Sequence, residues 1–235
     1  MMSFSATQLL REHVLDGVSI VLAGATTAPA DPADPGTPSD PGAPGTHASL
    51  AGELHEACAA LGARVADCPL SAQGEPEHDE REIDRAVASA LAELGSIEML
   101  VVDAAGLLAA APVAADGAGG REAMVGVLES SWAVTRAVAN SAFIEQKRPG
   151  RIVYVAPPPG GGMHAEPARA GLENLSRTLS IEWARHRVTP VTIAPAERTP
   201  AVQLAALIAY LATDAGAYFS GCLLDLRGPA GASAA

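Results

Sequence analysis

Arg151-Ile-Val-Tyr-Val-Ala156, halted at Pro157-Pro-Pro-Gly-Gly-Gly162 and followed from near Pro167 by a helical pattern, is the stretch that decides the fold. A short apolar run rich in β-branched residues reads as a buried parallel strand. Leu172, Leu175, Leu179 and Trp183 then recur at three- and four-residue spacing, which is the apolar face of a helix. Its last turn carries Arg185, His186 and Arg187, cations that complement the negative end of the helix dipole. Val188 to Ala194 reads as a further strand, Ala201 to Thr213 as a helix and Cys222 to Leu226 as a last strand.

Upstream the same alternation holds. Gly17-Val-Ser-Ile-Val-Leu-Ala-Gly24 is a strand ending in glycine, and Leu50, Leu54, Cys58 and Leu61 mark a helix closed by Gly62. Arg64 to Cys68 is a candidate strand. Ser71 to Glu82 is acidic and polar and reads as a loop, Ile83 to Leu94 as a helix, and Ile97 to Asp103 as a buried strand. Arg121 to Lys147 carries a long helical pattern closed by Pro149-Gly150. Strands alternating with helices predict an α/β chain: a Rossmann-like doubly wound parallel sheet with helices on both faces, in a single domain over 1–235. Pro29, Pro32, Pro35, Pro38, Pro41 and Pro44 form a Pro/Asp/Gly-rich insertion at 26–48, expected to be polyproline-like or disordered.

Composition narrows the function. Fifteen basic residues against twenty-seven acidic ones give a net charge of −12, which argues against a nucleic-acid partner. No apolar run reaches the roughly 18–20 residues of a membrane span, and no basic-then-apolar leader opens the sequence, so the expectation is a cytoplasmic protein with no membrane partner. Cys58, Cys68 and Cys222 lack metal or redox spacing and read as reduced core thiols. There is one lysine, Lys147, beside fourteen arginines, and there are three tyrosines.

Several ordered motifs together resemble the short-chain dehydrogenase/reductase family over nearly the whole chain. Gly150-Arg-Ile-Val-Tyr-Val is similar to its fifth strand, and Ala170-Gly-Leu-Glu-Asn-Leu-Ser-Arg-Thr-Leu-Ser-Ile-Glu-Trp-Ala-Arg185 to its catalytic-helix continuation. Val191-Thr-Ile-Ala-Pro195 is similar to the sixth strand and turn, and Ala209 to Asp214 followed by Tyr218-Phe-Ser-Gly221 to the closing segment. Ile97 to Gly106 resembles the fourth strand with its Asn-Asn-Ala-Gly signature.

The resemblance implies NAD or NADP as cofactor, and a Tyr-x-x-x-Lys pair supported by a serine and an asparagine. At those positions this sequence has Ala165 for the tyrosine, Arg169 for the lysine, Pro157 for the serine and Val127 for the asparagine. Alanine, valine and proline have no proton to exchange, and a guanidinium does not replace an ammonium at such a site. Tyr154, Tyr210 and Tyr218 are followed four residues on by Pro158, Asp214 and Cys222, so no Tyr-x-x-x-Lys exists anywhere. Lys147, beside a Pro-Gly turn, reads as a surface charge.

The cofactor motif is equally degraded. Only Gly24 and Gly106 persist: Ser49-Leu50-Ala51 stands where the closing Gly-x-Gly belongs, and Asp103-Ala-Ala-Gly106 replaces Asn-Asn-Ala-Gly. No nicotinamide nucleotide is expected to bind. The interval from Ala63 to Ile97 is short for the family's helix, strand and helix, so one strand-helix unit is expected to be trimmed. The substrate-covering lid after Ala194-Pro195-Ala196 is expected to be missing.

Other clusters have a sharp and an ordinary reading. His164, Glu166 and Arg169 are either a replacement acid/base set or a polar helix start. Glu77, His78, Asp79 and Glu80 are either metal ligands or a solvated polar stretch, and no metal site is expected. Pro157–Gly162 is either a ligand for a partner module or a plug in a vacated cleft. Trp132, Leu172, Leu175, Leu179 and Trp183 lie on the two helices with which the family pairs its subunits, and they are the candidate interface.

The expectation is therefore a catalytically inactive member acting as a structural or regulatory subunit, in a homo-oligomer or a hetero-oligomer with an active homologue. The alternatives are a divergent NAD(P)-dependent oxidoreductase and a small-ligand binding protein using the vacated cleft.

Overall fold

The computed structural model describes residues 10–25, 50–71, 76–111 and 119–227. The insertion at 26–48, with Ser49, lies outside the described residues.

Ser19–Ala25 forms β1, whose side chains alternate between two cores: Val21 and Ala23 enter one, Ile20 and Leu22 the other. Such two-sided burial requires helices on both faces, and the chain supplies them. The remaining elements in order are α1 (Leu50–Ala60), β2 (Arg64–Leu70), α2 (Pro76–Leu94), β3 (Met99–Asp103), α3 (Ala104–Ala110) and α4 (Gly120–Val138). They continue with β4 (Gly150–Val155), α5 (Ala165–Glu182), β5 (Val188–Ala194), α6 (Ala201–Ala212) and β6 (Cys222–Asp225). Six parallel strands lie in the order β2-β1-β3-β4-β5-β6, with Ile20 in register with Val65 on one side and Met99 on the other. Helices α2, α4 and α5 cover one face around Val127, Tyr154 and Leu172. Helices α1 and α6 cover the other around Leu54, Ile193 and Ile208. The doubly wound parallel sheet expected from the alternation is the fold observed.

Among the described residues one strand and one helix lie in the interval between α1 and β3. Strand β2 is an edge of the sheet. Ala66, Cys68 and Leu70 turn into the core, whereas Arg64, Asp67 and Pro69 are exposed. Pro69 lacks the amide another strand would pair with, which suits an edge strand. Residues 195–200 alone join β5 to α6, a connection as short as the sequence reading expects. Among the described residues no helix is long and apolar enough to cross a membrane.

Three expectations need correction. The stretch Ser71–Glu82 is not all loop, because α2 begins at Pro76. Proline suits a first helical position, where its missing amide costs nothing, and acidic residues suit the positive end of the dipole. The long helix expected to Lys147 is α-helical only to Val138 and continues as a π-helical turn, Ala139–Ile144. There Glu145 N–H donates to Asn140 C=O at 3.0 Å and Arg148 N–H to Phe143 C=O at 2.9 Å, one residue wider than α-helical spacing. Finally, a short helix, α3, follows the third strand where the sequence pattern marks none, and Asp103 caps it.

Candidate functional site

In an open parallel sheet the carboxyl ends of the strands share one edge, and ligands bind there where strand order reverses. Here that place is between β1 and β3, whose last residues are Ala25 and Asp103. Asp103 accepts a hydrogen bond from Gly106 N–H at 2.9 Å and is 8% exposed. Burial pushes its carboxyl up to about 6, although the Gly106 amide works in the opposite direction. The side chain also lies beside Gly24: a Cβ there would sit 3.3 Å from the Asp103 Cβ. Leu50 is fully buried at the start of α1 among Leu54 and Cys58, and Ala51 packs half-buried on the same core.

The four positions that the family resemblance assigns to catalysis are occupied as follows. Val127 is fully buried in the core, and its carbonyl accepts the Ser131 hydroxyl at 2.7 Å. Pro157 is buried just past β4. Ala165 opens α5 and is 1% exposed. Arg169 lies one turn further on and is spoken for along its own helix. Its Nε and Nη2 donate to Glu166 Oε2 at 2.9 and 2.7 Å, and its Nη1 to Glu173 Oε2 at 3.1 Å. Arg227, from beyond β6, donates to Glu166 Oε1 at 3.1 Å and chelates Asp225 at 2.7 and 2.8 Å. The Arg227 hydrogen bonds hold the Asp225 carboxyl down at about 2.

The structure does not bring His164, Glu166 and Arg169 together as one reacting set. The His164 ring lies against the start of α4, where a Cβ on Gly120 would be 2.6 Å from its Cδ2. Glu166 and Arg169 instead belong to the ion-pair chain that ties α5 to the end of β6. The spacing of Glu173 and Arg177, four and eight residues past Arg169, is readable in the sequence. Arg227, 61 residues from Glu166, carries no such signal.

The Pro157–Gly162 loop is folded back on itself. Gly161 N–H donates to Pro158 C=O at 2.9 Å, and a Cβ on Gly160 would lie 2.6 Å from Glu197 Oε1 in the turn after β5. The loop thus rests on the short segment that joins β5 to α6. Lys147 is exposed and in the left-handed region (φ 53°) just before β4, at the amino-terminal edge of the sheet and away from all of these residues. Among the described residues no cluster of His, Cys, Asp and Glu could hold a metal. The side chains of Glu77, His78 and Asp79 lie outside the described ones, and Glu80 pairs with Arg136 at 3.4 Å.

The candidate interface also changes. Leu172 and Leu179 are fully buried against the sheet, so they are core and offer no surface. Leu175 and Trp183 pack half-buried on the same core. Trp132 (40% exposed) remains on α4, and Val125 and Ile181 (79% exposed) join it as exposed apolar residues of these helices. Single-helix periodicity could not separate the core stripe of α5 from its outer one, because both carry leucine or isoleucine.

The sequence matches no family model and no curated protein. The structure is similar to that of a citronellol catabolism dehydrogenase (AtuB) of Pseudomonas aeruginosa PAO1, with TM-score 0.65 and 21% identity over 93% of this chain and 96% of that one. It is similar to a hydroxysteroid dehydrogenase from Escherichia coli, with TM-score 0.62 and 16% identity over 92% and 97%. A short-chain type dehydrogenase/reductase from Mycobacterium marinum aligns with TM-score 0.61 and 17% identity over 90% and 94%. The chain has the short-chain dehydrogenase/reductase fold.

Proposed function

We propose that this chain is a catalytically silent protein of short-chain dehydrogenase/reductase type, serving as a structural or regulatory subunit of an oligomer. Its partner is a second copy or an active homologue. The observation that carries this reading is the pair Ala165 and Arg169. The first offers no proton to a carbonyl, and the second, the only cation of the two, is held by Glu166 and Glu173. A general acid must reach its substrate within hydrogen-bonding distance, and a methyl group cannot do this. Two features add support: the short 195–200 connection leaves no lid to exclude water, and the α4 and α5 surfaces keep exposed Val125, Trp132 and Ile181.

Calorimetric titration with NAD+, NADH, NADP+ and NADPH tests the catalytic half. The expected result is no saturable binding tighter than about 100 μM, equivalent to −5.5 kcal/mol. Tighter binding, or turnover of a nicotinamide nucleotide with any carbonyl or alcohol, overturns the reading.

A further inference from the structure

The crevice between β1 and β3 is where a dinucleotide would have to lie, and the described residues there do not fit one. The two glycines that survive from the cofactor motifs both face Asp103. A Cβ on Gly24 would be 3.3 Å from the Asp103 Cβ, and a Cβ on Gly106 would be 2.5 Å from Asp103 Oδ2. Both glycines thus border the aspartate side chain, and a Cβ at either would press on it. The carboxylate is buried at the end of the central strand pair, with one amide hydrogen bond. No Lys, Arg or His occurs in β1, α3 or the adjoining end of β4 to neutralise it. A desolvated anion repels a second anion far more strongly than a solvated one does.

We propose that Asp103 is the specificity determinant of this crevice, excluding nucleoside diphosphates from a fold built to hold them. The inference rests on the non-catalytic reading above and names one residue that acts within the crevice itself. A change to asparagine keeps the shape and an acceptor for Gly106 N–H while removing the charge. The ligand class affected is anionic; an uncharged nucleoside meets the same walls without the repulsion.

The test compares wild-type protein with Asp103→Asn, and with Asp103→Ser as a second uncharged variant, all checked for folding by circular dichroism. Each is titrated at pH 8 with ADP-ribose and, as the uncharged control, with adenosine. The expected result is at least tenfold tighter ADP-ribose binding in the folded variants, with adenosine binding changed less than twofold. Equal affinity of wild type and folded variants for ADP-ribose overturns the role of Asp103 and leaves the non-catalytic reading standing. An equal gain for adenosine also overturns it, because the effect is then one of space. Wild-type protein that binds ADP-ribose and turns over a nicotinamide nucleotide overturns both.

Discussion

Trp132 and Trp183 stack across α4 and the end of α5, with ring centroids 6.2 Å apart and planes inclined by 24°. The two helices meet closely near their amino-terminal halves, where a Cβ on Gly171 would be 2.9 Å from Leu128 Cδ2. Further along, the indole pair fills the space between them. Trp183 also packs on the core beneath, whereas Trp132 keeps part of its ring in solvent. The pair is thus first an internal wedge, and only its Trp132 side is available to another molecule.

Truncation of the wedge has unequal consequences. Trp183→Ala is expected to cost about 3 kcal/mol of folding stability, and Trp132→Ala about 1 kcal/mol because its ring is half solvated. In urea denaturation the double variant should fall short of the sum by about 1 kcal/mol, the worth of a stacked pair. Strict additivity would show that the rings do not support each other.

Asp103 makes stability pH-dependent. Burial raises its carboxyl from 3.8 to about 6, so between these values the folded chain holds a proton the unfolded chain has released. Stability contributed by this group is therefore full below pH 4, declines as pH rises towards 6 and stays low above it. Asp103→Asn abolishes that decline. At pH 7 the variant is expected to be more stable than wild type by about 2–3 kcal/mol, and at pH 4 to be equal to it. Parallel curves for the two proteins would contradict this account.

Refitting the family pair does not restore chemistry. Ala165 has 1% of its surface exposed, so Ala165→Tyr must push its neighbours aside, at a cost of about 1–3 kcal/mol. Arg169→Lys also gives up the forked contacts to Glu166 and Glu173. The double variant is expected to melt lower than wild type and to show no NAD(P)H-dependent carbonyl reduction. Measurable turnover would mean that two side chains were all the site had lost.

The thiols report on the two cores separately. Cys58 is on the buried side of α1 and Cys68 is on the opposite face of the sheet, and burial pushes them up to about 12 and about 11. Neither is expected to react with an aromatic disulfide reagent at pH 8 until denaturant is added, while half-buried Cys222 reacts slowly in the native protein. Rapid native modification of Cys58 or Cys68 would show that its side of the sheet opens locally.

Much of the fold is legible because buried parallel strands are short, apolar and stopped by turn residues; Val188–Ala194 has the same ends in the sequence and in the structure. The α2 start was hidden because acidic residues in a first helical turn look like a solvated loop, although Pro76 marks the place. The π-helical turn after Val138 leaves no periodic trace, since one extra residue in a hydrogen-bonded turn barely shifts an apolar stripe. Within the site, Ala165 and Arg169 are picked out by the family resemblance of the helix that carries them. The Trp132–Trp183 stack, the Arg227–Glu166 pair and the approach of Asp103 to Gly24 join residues more than fifty positions apart, where local pattern carries no information.

Sedimentation velocity across the micromolar range tests the subunit role most directly, with the chain alone and mixed with an intact Tyr-x-x-x-Lys homologue from the same genome. Wild-type protein is expected to sediment as a dimer or larger in at least one of these conditions. Val125→Glu and Ile181→Glu, on the outer sides of α4 and α5, should dissociate it while the circular dichroism spectrum stays that of the folded chain. A chain that stays monomeric up to high micromolar concentration, alone and with the homologue, would contradict the account.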